Sequence, residues 1–268
     1  MSFYTSLSGL KNAQTNLNVI SHNIANSETT GFKKSTVSFS DIVVGSAYTN
    51  PKMIQGIGST VEAINQNFGI GPIEQTGSAL DVAISGDGFF TTKSSVTGDT
   101  YYTRNGAFTT DENGYIHDGS QNRLQIFAPG ADPATDAPVD AMVPAANGAG
   151  AEFAGITIGD DGKVTASYAD GTNDVIGTVA LASFISPGGL RAVGSSNWSS
   201  TGISGAAKYG VPGGGTYGNL LSGALERSNV DIAEELVSLI TAQRAFQANA
   251  KAIDTATQIA QTVINLRT

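Results

Sequence analysis

A heptad pattern in the C-terminal part of the sequence constrains the fold most strongly. Residues 229–267 contain no Pro and no Gly, and mostly apolar residues recur there every seventh position. One register is Ile232, Leu239, Phe246, Ile253 and Ala260, and a less regular one follows at Leu236, Gln243, Ala250, Thr257 and Ile264. The pattern predicts one amphipathic helix, roughly 55–60 Å long at about 1.5 Å per residue, that needs a partner to cover its apolar stripe.

A matching stripe lies in the N-terminal part of the sequence. Its members are Phe3, Leu10, Leu17 and Ile24, which are seven apart, and Leu7, Ala13 and Ile20, which fill the same face. Residues 3 to about 27 are therefore predicted to form a second amphipathic helix beside the first. We expect the two helices to form a coiled-coil-like layer.

The final helix is predicted to outrun the N-terminal helix by about ten residues. Apolar residues such as Ile259 and Ile264 would then have no cover from their own chain, and exposed apolar seams of this kind indicate contacts with other copies. The alternative is a helical hairpin that caps a β domain within one chain. The predicted polymer or inner-core contacts are Phe3, Leu7, Leu10, Leu17, Ile20, Ile24, Ile232, Leu236, Leu239, Phe246, Ile253, Ala260 and Ile264.

The region between the helices carries the signals of short antiparallel strands. The chain has 33 Gly and only 7% aromatic residues, as in a β body with many hairpin turns. Period-2 alternation begins at Leu80, Val82 and Ile84, and turn sequences such as residues 86–88 separate the apolar runs. Residues 129–153 are rich in Ala, Pro, Gly and Asp, which predicts a short connection.

These patterns predict an α+β fold in three parts. Residues 1–30 and 222–268 would form a terminal helical domain, and residues 31–128 and 154–221 a discontinuous, mainly antiparallel β body. Residues 129–153 would connect the two parts of that body.

Composition excludes several classes of function. The net charge of -9 and the lack of a basic run argue against nucleic acid or an anionic membrane surface as partner. No stretch approaches the roughly 20 apolar residues of a membrane span, so we predict no membrane insertion. The absence of Cys excludes disulfides, thiolate metal sites and a Cys nucleophile. No cleavable signal peptide is visible, which alone would predict a cytoplasmic protein.

No constellation of catalytic or metal-binding residues stands out. The acidic turns at residues 111–114 and 159–162 lack the spacing of a calcium loop and fit hairpin turns instead. His22 and His117 lie on different predicted elements, and the sequence has no G-x-S-x-G motif. We predict no catalytic, metal-binding or cofactor-binding residues, no cofactor and no enzymatic activity. A secreted β-fold enzyme and a free-standing binding module are the remote alternatives.

Three separated motifs resemble the rod and hook family of axial proteins of the bacterial flagellum. The first is S-G-L-x-x-A-x-x-x-L-x-V-I-x-x-N-I-A-N-x-x-T-x-G-F-K at residues 8–33. The second is A-L-D-V-A-I-S-G-D-G-F-F at residues 79–90, followed by Y-T-R-N-G at residues 102–106. The third is S-G-A-L-E-x-S-N-V-D at residues 222–231, followed by E-L-V, Q-R and N-L-R in the final helix. The motifs cover both ends and much of the body.

Within this family the sequence resembles hook proteins most, through residues 1–4, 175–184 and 225–267. Hook proteins usually carry outer β domains in mid-chain, where this sequence has only residues 129–153. The chain length is closer to that of a distal rod protein, but no segment after residues 39–41 resembles the insertion of the distal rod. The resemblance therefore implies a short hook protein, with a distal or proximal rod protein as the alternative.

The resemblance implies a tubular helical polymer whose terminal helices surround a central export channel. A hook would act as a flexible universal joint that transmits torque from rod to filament, whereas a rod would be a rigid drive shaft. The implied partners are many copies of the chain, other axial proteins (rod, cap and hook–filament junction) and the flagellar type III export apparatus. The implied location is the hook outside the cell, or the basal-body rod in the periplasm, reached by export without cleavage of a signal.

Overall fold

The computed structural model describes residues 2–44, 55–133 and 135–266. Met1, residues 45–54, Ala134, Arg267 and Thr268 lie outside the described residues. Helix α1 spans Ser2–Ala25 and helix α2 spans Ile232–Asn265. Between them, every strand pairing that the structure describes is antiparallel. The predicted α+β fold with a helix in each terminal region and an antiparallel body is confirmed.

Contacts divide the chain into two compact units. The first comprises the described parts of Met1–Ser27, Lys34–Asn67 and Val230–Thr268, and the second comprises Glu28–Lys33 and Phe68–Asn229. Besides α1 and α2, the first unit holds a two-stranded ribbon of β1 (Ser35–Val44) and β2 (Gln55–Gln66).

The ribbon packs against α1 through polar contacts and a close backbone approach. Asn12 Nδ2 donates a hydrogen bond to Ser59 Oγ at 2.7 Å, and the Ser59 N–H donates to Ser8 Oγ at 3.4 Å. Gly58 has a φ of 138°, and a Cβ there would lie 2.5 Å from Ser8 Oγ, so this site requires Gly. Residues 34–67 are predicted as part of the β body (31–128), but these contacts group them with the helices.

The second unit holds the other strands, most of which form one sheet. The strands are β3 (Ile73–Gln75), β4 (Val82–Ser85), β5 (Phe89–Ser94), β6 (Thr100–Thr103), β7 (Thr109–Thr110), β8 (Ile116–His117), β9 (Asn122–Phe127), β10 (Val139–Asp140), β11 (Phe153–Ile158), β12 (Lys163–Tyr168), β13 (Asn173–Val179), β14 (Leu181–Ser183), β15 (Arg191–Gly194), β16 (Asn197–Ser199), β17 (Lys208–Gly210), β18 (Asn219–Ser222) and β19 (Ala224–Glu226). The main path of the sheet is β11-β12-β13-β9-β5-β6-β16-β15, to which β7, β8, β10, β14 and β17 attach. Outside this sheet, β18 pairs with β4, and β19 pairs with β3.

Two apolar clusters form the core of this unit. The larger one includes Val82, Ile84, Phe90, Phe108, Ile116, Leu124, Ile126, Ile158, Val164, Val179, Leu181 and Leu220. The smaller one is mainly aromatic: Phe89, Tyr102, Ala182, Leu190 and Trp198 are buried, and Phe68, Phe184, Ala207 and Tyr209 pack against them. The alternation predicted from Leu80 onward thus lies on strands that fill the larger core.

Residues 129–153 contribute to the sheet and to its core. Strand β10 pairs with β9, and Ala141 and Val143 are buried in the larger cluster. The segment therefore packs more tightly than a plain connection does. That residues 129–153 stand in place of larger outer domains stays a prediction.

Candidate assembly interface

The two helices of the first unit pack antiparallel. Asn23, near the end of α1, donates a hydrogen bond from Nδ2 to Glu235 Oε2 near the start of α2 at 3.2 Å. Gly9, near the start of α1, faces Asn249 much farther along α2, where a Cβ on Gly9 would lie 2.6 Å from Asn249 Oδ1. Gly at this position lets the two helices approach closely.

Helix α2 begins at a strong N-cap. The Asp231 carboxylate accepts hydrogen bonds from the N–H groups of Ala233 at 2.8 Å and Glu234 at 3.2 Å. Glu234 and Glu235 in the first turn complement the positive end of the helix dipole. The helix therefore starts where the periodic pattern starts, and it continues for 34 residues against 24 for α1.

The face of α2 that packs within the chain has the spacing of a heptad seam. Glu235 and Ala242 are buried, and Leu239, Phe246 and Ile253 are half-buried. The first predicted register thus lies in this seam over three repeats, and its remaining members, Ile232 and Ala260, are exposed.

The second predicted register lies mostly outside the seam. Leu236, Gln243, Thr257 and Ile264 are exposed, and only Ala250 is half-buried. On α1, Ile20 is buried, Leu7, Leu10, Leu17 and Ile24 are half-buried, and Phe3 is exposed. The structure therefore divides the predicted contact residues between an intramolecular seam and a free surface.

None of the described residues covers the last part of α2. Every residue from 257 to 266 is exposed, and this segment, which we call the overhang, contains no charged side chain. Its large apolar residues are Ile259, Val263, Ile264 and Leu266, which are 60–82% exposed. The prediction that α2 outruns α1 and leaves Ile259 and Ile264 uncovered is confirmed.

A second exposed apolar patch lies at the start of α2. It consists of Ile232, Leu236, Val237 and Ile240, which are 43–66% exposed. Single exposed apolar residues are common on soluble proteins, but four on two helical turns form a continuous patch. Val237, Ile240, Val263 and Leu266 are not among the predicted contacts, because they fall outside a strict heptad.

A buried polar cluster ties α1, β1 and α2 together. Lys34 Nζ lies 2.8 Å from Glu235 Oε1, and Glu235 is 2% exposed. Asn23 donates to the Ser35 carbonyl at 2.8 Å and accepts from the Ser35 N–H at 3.0 Å. Burial lowers the pKa of Lys34, but the hydrogen bonds and the negative charges of Glu235 and Glu234 outweigh burial, so that the pKa of Lys34 is raised.

Replacement of Asn23 by Ala should destabilise the first unit by roughly 1–3 kcal/mol, because buried partners lose their hydrogen bonds. Asn23 is 1% exposed and serves both backbone groups of Ser35 as well as Glu235. The matched control is Asn18→Ala, an exposed position on the same helix. Urea denaturation followed by helical circular dichroism measures both variants, and equal midpoints for the two would contradict this role of Asn23.

In the second unit, three charged side chains meet in a fully buried cluster. Lys33 Nζ lies 2.6 Å from Glu226 Oε1, and Arg104 Nη1 lies 3.3 Å from Glu226 Oε2. The Glu226 carboxylate also accepts from the Gly71 N–H at 2.8 Å, and Lys33 donates to the Gly69 carbonyl at 2.8 Å. Burial lowers the pKa of Lys33 and that of Arg104, while the charge of Glu226 opposes the shift.

This cluster joins the three sequence motifs. Lys33 ends the G-F-K motif, Arg104 lies in Y-T-R-N-G, and Glu226 lies in S-G-A-L-E. With side chains that are 0–3% exposed, the cluster is a structural anchor of the second unit. The motifs are visible in the sequence but the cluster is not, since Lys33 and Glu226 are 193 positions apart.

The carboxylates of the acidic turns bind groups within their own hairpins. The Asp111 carboxylate accepts from the N–H groups of Asn113 at 2.9 Å and Tyr115 at 2.7 Å, and Asp161 pairs with Lys163 at 2.7 Å. Over the described parts of the chain, no group of three or more His, Asp or Glu side chains is arranged to hold a metal ion. No described helix combines the length and the apolar character needed to cross a membrane.

Comparison with known protein families gives three matches along the chain. Residues 3–33 match the family described as flagella basal body rod protein. Residues 83–166 match the flagellar hook protein FlgE/F/G D1 domain, and residues 221–266 match the flagellar basal body rod FlgEFG protein C-terminal family. The matches include the N-terminal helix, part of the sheet and the whole of α2.

Full-length relatives are similar over nearly the entire chain. The flagellar basal-body rod protein FlgG of Bacillus subtilis is 38% identical over 279 positions, which cover 99% of this chain and 98% of that protein. FlgG of Caulobacter vibrioides is 35% identical over 279 positions, with 98% of each chain covered. The flagellar hook protein FlgE of Salmonella typhimurium is 29% identical over 411 positions, with 100% of each chain covered.

Proposed function

Because the chain belongs to the family of flagellar rod and hook axial proteins, we propose that it polymerises with copies of itself into a helical tube whose inner layer is built from α1 and α2. The family is a structural one, and the chain is a structural axial subunit of the flagellar rod or hook rather than an enzyme. In the proposed tube the helical layer is coiled-coil-like.

The overhang is the observation that carries this proposal. A helix end with four exposed large apolar residues and no charge is costly to leave in water, and a neighbouring copy would cover it. The patch at the start of α2 offers a second apolar surface for such contacts. Of the thirteen predicted residues, the eight buried or half-buried ones would form the inner layer within one chain, and the five exposed ones would contact other copies. To these polymer contacts we add the exposed residues Val237, Ile240, Ile259, Val263 and Leu266.

Chain length favours a position in the rod. The rod proteins of B. subtilis and C. vibrioides align with this chain over 279 positions, close to its own 268 residues. The hook alignment needs 411 positions, so a large share of them is occupied by the hook protein alone. A rod subunit would form a rigid drive shaft that needs no additional outer domains.

A hook subunit is the second candidate. The hook protein of S. typhimurium aligns from end to end with this chain, and the central family model spans FlgE as well as FlgF and FlgG. In that role the chain would form a short hook and transmit torque as a flexible joint, with residues 129–153 in place of outer domains. In either position we propose neighbouring axial proteins and the flagellar type III export apparatus as its further partners.

Electron microscopy of flagella from cells that lack this gene tests the proposal. We expect basal bodies whose rod stops short and which carry neither hook nor filament. A complete rod without hook or filament would establish the hook candidate instead. Normal flagella that assemble at wild-type frequency would contradict both, and complementation with the wild-type gene is the control.

A further inference from the structure

The hairpin of β5 and β6 ends in an apolar tip that serves no purpose within its own unit. Val96, in the turn that joins the two strands, is 91% exposed, the highest value for a large apolar side chain among the described residues. Turns of this kind normally carry Gly, Asn, Asp or Ser, and a Val at the tip gains nothing from folding. The exposure of Val96 therefore points to a contact with a partner outside this unit.

The turn that presents Val96 is held in one conformation. The Ser94 N–H donates to the Asp99 carbonyl at 2.9 Å, and the Gly98 N–H donates to the Ser94 carbonyl at 3.1 Å. The Ser94 hydroxyl accepts from the N–H groups of Val96 and Thr97, each at 3.3 Å. A fixed turn loses little conformational entropy when it binds, so the tip is preorganised for contact.

The base of the same hairpin borders a pocket of about 300 Å³. Phe68, Phe89 and Phe184 form its apolar lining, and the exposed residues Asp87 and Thr216 form part of its rim. Arg104 also lines the pocket, 98% buried with its guanidinium 5.3 Å from the centre of the Phe89 ring.

Arg104 leaves one buried donor without an acceptor. Its Nη1 bonds to Glu226 and its Nη2 to the Gly86 carbonyl, but its Nε has no hydrogen-bond partner. Buried donors are nearly always paired, so an unpaired one at a pocket points to a missing acceptor. A turn that enters the pocket would bring backbone carbonyls and the exposed Asp99 carboxylate close to the Arg104 guanidinium.

We propose that the Val96 turn of one copy inserts into the Arg104 pocket of the next copy. The tip and the pocket lie at opposite ends of one hairpin, separated along β5 by roughly 20 Å at about 3.3 Å per residue. A contact between two different surfaces of identical subunits is heterologous, and it builds a ring or an open helical polymer instead of a two-fold dimer. A second copy is thus the occupant that matches an axial subunit, and the inference rests on the proposed polymerisation.

Cysteine cross-linking tests this contact directly, since the chain has no cysteine of its own. In the variant Val96→Cys/Thr216→Cys, oxidation of assembled polymer should give a covalent ladder that extends beyond dimers on a non-reducing gel. The tip and the pocket of one chain are too far apart for an intramolecular disulfide, which needs Cα atoms within about 7 Å. Each single-cysteine variant should give dimers at most.

The outcomes separate this contact from the proposed function. A polymer of the double-cysteine variant that gives no ladder would overturn the contact and leave polymerisation intact. If the wild-type chain forms no polymer under any condition, the proposed function and this inference fail together. Cross-links between this chain and a different axial protein, but not between its own copies, would also contradict the proposal that a second copy fills the pocket.

A charge at the tip provides a second measurement. Val96→Asp should raise the critical concentration for assembly about tenfold or more, without a change in the unfolding midpoint, because Val96 touches little in the free subunit. Val193→Asp is the matched control, an exposed valine on the edge strand β15. Equal assembly of the Val96→Asp variant and wild type would contradict the proposed contact.

Discussion

Replacement of Glu226 by Gln is expected to lower the free energy of unfolding of the second unit by roughly 3–5 kcal/mol. Glu226 is the counter-charge shared by Lys33 and Arg104, and the side chains of all three are at most 3% exposed. Without the carboxylate, two buried cations would face each other across a neutral amide. The loss is larger than the value of one hydrogen bond because uncompensated charges are left in a dry environment.

Trp198 makes this change measurable in the second unit. It is the only tryptophan of the chain, and it is buried in the aromatic cluster of that unit, so its fluorescence reports on urea unfolding there. Glu74→Gln is the matched control. Glu74 lies on β3, which pairs with the strand that carries Glu226, and it faces Arg227 across an exposed 3.3 Å pair. Its replacement should cost less than about 1 kcal/mol.

A second substitution tests whether the loss of stability comes from unpaired charge or from altered packing. Lys33→Met added to Glu226→Gln removes one of the unpaired cations, and it should recover part of the lost stability. A Glu226→Gln variant that is as stable as Glu74→Gln would show that the buried carboxylate is not required. A double variant less stable than Glu226→Gln alone would show that the packing of Lys33 matters more than its charge.

The sequence predicted the helices well because their signals are local. In α2 the periodicity and the absence of Gly and Pro lie within the segment that folds, and the capping residue Asp231 directly precedes it. In α1 the periodicity alone carries the signal, since this helix contains Gly9. The antiparallel body was also predictable, since alternation from Leu80 and the Asp and Gly turns act over a few residues. The grouping of β1 and β2 with the helices was not predicted, since it depends on contacts such as Asn12 with Ser59, which are 47 positions apart.

The inner face of α2 could not be read from hydrophobicity alone. Hydrophobic spacing predicts the second register at Leu236 and Gln243, whereas the structure buries Glu235 and Ala242 one position earlier. The reason lies on α1, which presents Asn23 to Glu235 and the bare backbone of Gly9 to Asn249. Because α1 presents an amide and a bare backbone, the face of α2 that packs against it carries polar and small residues. The sequence of α2 alone does not show which face this is.

Two consecutive lysines connect the start of the chain with its C-terminal region. Lys33 belongs to the second unit and pairs with Glu226, whereas Lys34 belongs to the first unit and pairs with Glu235. Each unit therefore contains a buried ion pair between residues separated by about 200 positions. A chain without its C-terminal segment would leave both lysines without their acids, so neither unit can reach its full stability before that segment is present.

The double substitution Ile259→Asp/Val263→Asp in the overhang is expected to abolish polymerisation and motility. Both side chains are about 60% exposed and lie one helical turn apart. In the proposed tube they are buried against another copy, where two unpaired carboxylates would cost several kcal/mol and raise the critical concentration at least ~100-fold. Leu239 and Phe246 are less informative targets, because they are half-buried in the seam and their replacement would also weaken the free subunit.

Gln261→Asp/Asn265→Asp is the matched control, since it adds the same two charges with the same spacing on another side of the overhang. Sedimentation and electron microscopy measure assembly, circular dichroism checks that the free subunit keeps its helices, and swimming assays read out motility. We expect normal helices in both variants and a loss of polymer only when Ile259 and Val263 are replaced. Polymer formation by that variant at the wild-type concentration would mean that the apolar end of α2 is not an assembly surface, and the proposed inner layer would have to be abandoned.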